Sequence, residues 1–147
     1  MERGELGPQP VFQVAYLATI RPDGRPRPHP FCPVLAGGRL FAAIPPHSPK
    51  GHDLRRDPRC AIHALPGPDD DELLVLALAN EVGDDATRAM VNAVVERSEV
   101  GGMIATVAEH PLFEFDIEQV DVARWVAVGQ RGTYAERLRW RADETAG

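Results

Sequence analysis

The stretch Leu17–His63, LATIRPDGRPRPHPFCPVLAGGRLFAAIPPHSPKGHDLRRDPRCAIH, decides the fold, because short apolar runs alternate in it with strong turn signals. Pro22-Asp23-Gly24 and Gly37-Gly38 supply those signals, since proline fixes φ and glycine accepts positive φ. Each turn joins two strand-like runs. The stretch therefore predicts two successive hairpins and an antiparallel sheet.

A helix start follows the second hairpin. Ser48 is a candidate N-cap, Pro49 takes the first helical position, and the short helical pattern stops at Asp57-Pro58. A helix N-terminus collects unpaired N–H groups and partial positive charge, and Lys50 adds a full charge. The pattern favours a phosphate site, and its alternative is an ordinary capped surface helix with a solvated lysine.

The flanking sequence adds further strands. Val11–Ile20 alternates apolar and polar residues, which predicts a strand. Arg27–Leu35 is rich in proline, which predicts an edge or bulged strand because proline has no N–H to donate. More strands are predicted at Arg39–Ile44, Cys60–Leu65, Glu72–Val82, Leu112–Val120 and Tyr134–Arg141, and Val122–Val128 either continues the Leu112 strand or pairs with it.

One long amphipathic helix is predicted between these strands. Asp84-Asp85 forms an N-cap pair, apolar residues recur at helical spacing as far as Arg97, and Gly101-Gly102 ends the pattern. Met103–His110 fits neither pattern clearly. The fold class is mainly β (α+β): residues 1–147 form one domain, an antiparallel barrel of six or seven strands with one main helix and short helical additions.

Composition and charge exclude several classes of protein. The 147-residue chain is 44% hydrophobic, contains no apolar run long enough to span a bilayer, and begins without a secretory pattern, so we expect a cytoplasmic protein and no membrane partner. Its net charge of −6 argues against nucleic acid as a partner. The basic residues nevertheless concentrate in the first 60 positions, which is compatible with a local site for a small anion.

The two cysteines, Cys32 and Cys60, are expected to be core thiols rather than a disulfide. His29-x-x-Cys32 and Cys60-x-x-His63 copy the spacing of zinc ligands. Both pairs fall in predicted strands, where residues three apart point to opposite faces. We therefore expect no metal site.

Several short motifs follow one another in a fixed order: Ala18-Thr19, Asp23-Gly24-x-Pro26, His29-Pro30, Ser48-x-Lys50 and Asp57-Pro58-Arg59. Each motif alone is weak, but their order and spacing are specific. Together they resemble the pyridoxamine 5'-phosphate oxidase-like flavin-binding split barrels. The resemblance covers Tyr16–Val82 well and extends more loosely to Trp140.

This resemblance implies a homodimer that binds FMN across the subunit interface and acts on a small-molecule substrate. It implies that His29, Ser48 and Lys50 hold the phosphate, while the main chain of Pro30, Phe31 and Cys32 runs under the flavin ring. Members of the family include oxidases, reductases, deazaflavin-dependent enzymes and haem-handling proteins. The function expected is that of an FMN-dependent oxidoreductase, and the alternative is a non-catalytic carrier of flavin, deazaflavin or haem.

The sequence departs from the oxidase that names the family. Pro49 and Val34 stand where that enzyme has an arginine and a lysine, which argues against oxidation of the vitamin. The residues that would grip a substrate phosphate have no clear match either, and Arg137, Arg139 and Arg141 are candidates only by location.

Other candidates keep two interpretations. His29 could instead be a neutral buried ring bonded to a backbone carbonyl. His47, which we include in the site, and His52 lie beside the helix start and could contact an anion or face water. Trp140, also included, and Trp125 could stack on a partner's flavin or fill a core or interface, and Glu72 could contact the ring or belong to an acidic loop. No residues form a dedicated acid, base or nucleophile group, which flavin chemistry permits.

Overall fold

The strands and helices follow the turn and cap signals of the sequence. The computed structural model describes residues 14–66, 70–98 and 109–145. In chain order the elements are β1 (Ala15–Ile20), β2 (Pro26–Phe31), β3 (Val34–Ala36), β4 (Arg39–Ala43), α1 (Pro49–Arg56), β5 (Arg59–Ala64), β6 (Glu72–Glu81), α2 (Asp85–Arg97), β7 (Leu112–Val126) and β8 (Tyr134–Arg141), followed by a 3-10 turn at Ala142–Thr145. Residues 11–13 of the predicted first strand, the Gly101-Gly102 break and most of Met103–His110 lie outside the described residues.

All strand pairs between the described elements are antiparallel, and they form one curled sheet. The hydrogen-bonded order is β2-β1-β5-β6-β7-β4-β3, with β8 paired to β7 beside this path. The two ends of the path, β2 and β3, are joined through only Cys32 and Pro33, so the Cα atoms flanking these residues are at most about 11 Å apart. The sheet must therefore curl until its edges approach, which confirms the predicted split barrel.

The proline-rich segment behaves as predicted at its edge but not in its continuity. Arg27–Leu35 was expected to form one strand, and the structure divides it into β2 and β3, which lie at opposite ends of the sheet. Proline at position 33 cannot donate to a ladder, so the break falls where pairing is interrupted. This division raises the number of strands among the described residues to eight, above the predicted six or seven.

Glycines make both predicted hairpins possible. Gly24 has φ +82°, and Gly37 and Gly38 have φ +56° and +72°, values that other residues rarely adopt. The Pro22-Asp23-Gly24 turn joins β1 to β2 in register from Ile20↔Pro26 to Ala15↔Phe31. Both hairpin predictions are confirmed.

The long strand β7 ties the sheet together. Its first residues pair with β4, its last residues pair with β8, and β6 runs beside most of its length with an irregularity between Leu76 and Ala77. The Leu112 and Val122 runs are thus one strand, the first of the two arrangements expected.

The core lies inside the curled sheet and beneath α2. The larger cluster includes Leu17, Ile62 and Phe113, and a second cluster forms where Val91 and Val95 of α2 pack on β3, β4 and Leu112. Cys60 belongs to the larger cluster, where burial raises the pKa of its thiol to about 12, so it is an unreactive core thiol as expected. Cys32 is partly buried, and both cysteines are free.

Candidate functional site

The start of α1 is built as its sequence predicts. Ser48 has an extended backbone, and its Oγ accepts a hydrogen bond of 3.2 Å from the Gly51 N–H, while Pro49 occupies the first turn. Gly51 is buried, and a Cβ on it would lie 3.3 Å from the Ile44 side chain. The helix can therefore sit close against the end of β4. Its eight residues lead from this cap to Arg56.

Lys50 connects the helix start to β2. Its Nζ donates a hydrogen bond of 3.4 Å to the Pro30 carbonyl oxygen. Burial lowers the pKa of the Lys50 ammonium, and nearby Cys32 opposes that shift. The structure thus brings together the two segments that the sequence offered separately as holders of a phosphate.

His29 lies beside Lys50 with an unsatisfied nitrogen. It pairs in register with the buried Leu17, and its Nε2 is buried with no hydrogen-bond partner. Burial, then the positive charges of Lys50 and Arg27, lowers the pKa of the imidazole. A buried polar atom without a partner is costly, and the described residues give Nε2 no hydrogen bond to a backbone carbonyl.

A buried carboxylate that the sequence interpretation missed lies on the same helix. Asp53 is 2% exposed, and its oxygens accept hydrogen bonds from Thr19 Oγ1 at 2.8 Å, Arg27 Nε at 2.7 Å and Arg56 Nη2 at 3.1 Å. Burial raises the pKa of this carboxyl, but these donors lower it more. The sequence offered only a weak hint of this pair, since Arg27 lies two residues from His29 and Asp53 three from Lys50.

We call this group, formed by Arg27, His29, Ser48, Lys50 and Asp53, the β2–α1 site. Its positive groups outnumber its one carboxylate, and its helix N-terminus adds partial positive charge. Burial lowers the pKa of both His29 and Lys50, and the positive charges of Lys50 and Arg27 lower that of His29 further. The arrangement therefore fits an anion, and the unpaired Nε2 marks where one could bond.

The other residues predicted to contact the cofactor lie at the edge of the β2–α1 site or outside it. Phe31 is buried, and its ring meets Phe115 edge to face with centroids 5.9 Å apart, so its side chain belongs to the core. Cys32 follows the end of β2, and Pro30 is exposed. His47 is exposed in the loop before α1, as is His52 on the helix. The structure brings the main chain of β2 to Lys50 but gives His47 no described contact there.

Trp140 of β8 and His29 of β2 lie on strands that do not pair with each other. The two residues occupy opposite ends of one row of paired residues on the same sheet face: His29, Leu17, Ile62, Val75, Val120 and Trp140. Five inter-strand steps separate them, or about 24 Å along the sheet. The middle of the row is buried, whereas Trp140 is 42% exposed.

The opposite sheet face carries two adjoining cavities, which we call the outer cavities. Their volumes are about 400 Å³ and 440 Å³, and His63 and Glu72 line both. Arg137 and Arg139 line the first, and Trp125 lines the second. The structure thus groups Glu72, Trp125 and two of the C-terminal arginines with one another, away from the β2–α1 site.

Two other kinds of feature, a metal-ligand cluster and a membrane-spanning helix, are absent from the described residues. No group of three or more His, Cys, Asp or Glu side chains in residues 14–66, 70–98 and 109–145 is arranged to hold a metal ion. In the same part of the chain, no helix is long and apolar enough to cross a membrane.

Comparison with known proteins decides the family. The family model described as pyridoxamine 5'-phosphate oxidase matches residues 10–129, which include every element from β1 to β7. The chain belongs to the pyridoxamine 5'-phosphate oxidase family. None of the curated proteins matches it.

Solved structures with the same fold include proteins of different description. A haem-binding protein from Mycobacterium smegmatis has a TM-score of 0.68 at 18% identity, covering 90% of this chain and 54% of its own. HutZ, the haem storage protein from Vibrio cholerae, has a TM-score of 0.63 at 21% identity, covering 73% and 83%. A Clostridium acetobutylicum relative of general stress protein 26, of the pyridoxinephosphate oxidase family, has a TM-score of 0.62 at 11% identity, covering 89% and 87%. At these identities the likeness supports the fold alone.

Proposed function

We propose that this family member is a homodimeric FMN-dependent oxidoreductase acting on a small molecule. The observation that carries the proposal is the buried, unpaired Nε2 of His29 beside the partly buried Lys50. When bound, the flavin would supply the hydride or electron chemistry, and the protein would supply binding, orientation and exclusion of water.

The β2–α1 site would hold the FMN phosphate. Lys50 can donate from its ammonium, and His29 can donate from Nε2 once protonated. The Ser48 hydroxyl oxygen accepts a hydrogen bond from the Gly51 N–H, and its own O–H can still donate to the ligand. In the first turn of α1 Pro49 has no N–H and the Gly51 N–H is bonded to Ser48, so the Lys50 N–H is the backbone donor that adds to the same attraction.

The balance of charge favours a phosphate monoester over the other cofactors of this fold. A terminal phosphate carries close to two negative charges near pH 7, which suits a site with several positive groups. Haem presents carboxylates and no phosphate. Two of the similar structures are haem-binding or haem-storage proteins, so haem is a competing outcome of the test below.

Oxidation of the vitamin phosphate is not part of the proposal. Val34 is 1% exposed and packs in the core under α2, so this position offers no cation to a ligand. Pro49 likewise gives none. The substrate is therefore left as a small molecule of another kind.

A second copy of the chain would complete the site. Trp140 lies five inter-strand steps from His29 along the sheet of its own chain, and it is exposed together with Leu138, which is 74% exposed. Large aromatic side chains that are exposed beside other apolar side chains are typical of protein interfaces. This exposure supports a homodimer in which the partner contributes the aromatic contact.

The purified protein tests the proposal directly. Its visible spectrum and a titration with FMN should reveal flavin binding, and the bound flavin should bleach anaerobically with a reduced nicotinamide cofactor. Bound flavin that no donor reduces would support the carrier function instead. A sharp Soret band would point to haem, and failure to bind FMN, deazaflavin or haem would contradict both functions.

A further inference from the structure

We propose that Arg27, held in place by Asp53, is a third cationic donor to the bound phosphate and makes the β2–α1 site selective for a phosphate monoester. The inference rests on the proposed FMN function and extends it. Asp53 would act as a positioning residue, since it would touch the ligand only through Arg27.

Backbone geometry places two residues of β2, Arg27 and His29, opposite two residues of α1, Lys50 and Asp53. Arg27 and His29 lie two positions apart on β2, so their side chains share one sheet face. Lys50 and Asp53 lie three positions apart on α1, so they share one helix face. Lys50 meets β2 at Pro30, and Asp53 meets it at Arg27, so the two faces run along each other.

The hydrogen bonds leave part of Arg27 open. Its Nε donates to Asp53 Oδ2 at 2.7 Å, and no described hydrogen bond involves its two terminal nitrogens. The side chain is 25% exposed, whereas the Asp53 side chain is 2% exposed. The carboxylate therefore fixes one edge of the guanidinium in a buried position, and its other donors remain available.

A guanidinium suits this bridging role better than an ammonium does. Its planar donors can bond a carboxylate and a phosphate at once, and fixing Nε also fixes the direction of the remaining N–H groups. Arg56 is already committed elsewhere, since it donates to Asp53 Oδ1 and to the Ile20 carbonyl at the far end of α1. Arg27 is the member of the pair whose charge also acts on His29.

The test compares FMN with riboflavin, which lacks the phosphate. The R27Q variant should bind FMN about tenfold more weakly than the wild type, the scale of one charged hydrogen bond, and should bind riboflavin unchanged. R27K keeps the positive charge but loses the planar guanidinium, and its FMN affinity should fall between those of the wild type and R27Q. R25Q removes the same charge from an exposed turn residue of the same hairpin and should change neither affinity.

The outcomes separate a ligand contact from a structural role. Equal weakening of FMN and riboflavin by R27Q, or no weakening in both R27Q and R27K, would overturn the inference. R27K guards against misfolding of R27Q, and R56Q removes a different donor to Asp53 and should leave the ratio of the two affinities unchanged.

A second probe keeps this inference distinct from the proposed function. Inorganic phosphate should shift the His29 ring signals of the wild type in NMR spectra, and the shift should need higher phosphate concentrations in R27Q. This result in a protein that binds no FMN would contradict the FMN function and support the anion site. FMN binding by the wild type with the same phosphate response in R27Q would contradict only the role of Arg27.

Discussion

The β2–α1 site and the outer cavities lie on opposite faces of the sheet. Charged groups are buried or half-buried in the first region and largely exposed to solvent in the second. In the β2–α1 site a carboxylate with 2% exposure is surrounded by donors, and a buried histidine nitrogen has no partner. In the outer cavities Asp121 pairs with Arg139, whose side chain is 55% exposed, and Glu72 and His63 border open space. The charged side chains of the β2–α1 site are held in place by hydrogen bonds within one chain. The outer cavities are open at the surface. Under the proposed function, the first region would bind the phosphate of the cofactor, and the second would be the place where specificity for a substrate can vary.

The largest expected contrast between the two regions is in stability. Asp53→Ala should lower the free energy of unfolding by about 3–5 kcal/mol, because it leaves Thr19 and two arginines without their buried acceptor. Asp121→Ala removes a partly exposed pair and should change the melting temperature much less than Asp53→Ala does. Denaturant unfolding of both variants measures the difference. Similar losses would contradict the claim that only the β2–α1 site is built on a buried charge.

The next contrast concerns FMN. Lys50→Ala should weaken FMN binding by about 1.5–3 kcal/mol with little loss of fold stability, because it removes one charged donor from a helix surface. Arg137→Ala, the matched change in an outer cavity, should leave FMN affinity unchanged. Fluorescence titration with FMN gives both values. A larger effect of Arg137→Ala than of Lys50→Ala would exchange the roles of the two regions.

A smaller effect follows from protonation. The pKa of free His29 lies below its usual value because of burial and nearby Lys50, and a bound phosphate would raise it. FMN binding should therefore take up a proton, and affinity should rise as pH falls through the raised pKa of the complex toward the lowered pKa of the free protein. His29→Gln should lose this component while keeping the titration of the phosphate itself. Parallel pH profiles for the two proteins would contradict the contact.

The smallest expected effect belongs to Trp140. Trp140→Ala should weaken FMN binding by about twofold to tenfold, the scale of one aromatic contact, without changing the fold. Because the contact is proposed to come from the partner subunit, the loss should appear only in the dimer. Sedimentation analysis beside the titration shows which species is present. A loss in a strictly monomeric protein would contradict the partner's contribution.

Local chemistry explains what the sequence predicted well. The Gly24 and Gly37-Gly38 turns and the Ser48 and Asp84 caps depend on residues within a few positions, and the structure has each of them. The split of the proline-rich segment into β2 and β3 was missed because alternation alone does not show which partner each half will meet.

The candidate site also shows that a local pattern does not reveal which distant residues will meet. Pattern and resemblance named His29, Ser48 and Lys50, which the structure brings to one place. They passed over Asp53, because a buried carboxylate in a short polar helix looks like surface sequence until Thr19 and Arg27 are folded against it. They also offered Trp140 as a contact to a partner's flavin, and this contact stays a prediction, since the strand order places Trp140 and His29 on strands that do not pair within one chain.

The most direct test of the central claim is an experimental structure of the protein with FMN. The phosphate should lie within about 3 Å of Lys50 Nζ and His29 Nε2, between β2 and the start of α1. A phosphate bound instead beside Arg137 in an outer cavity would contradict the account.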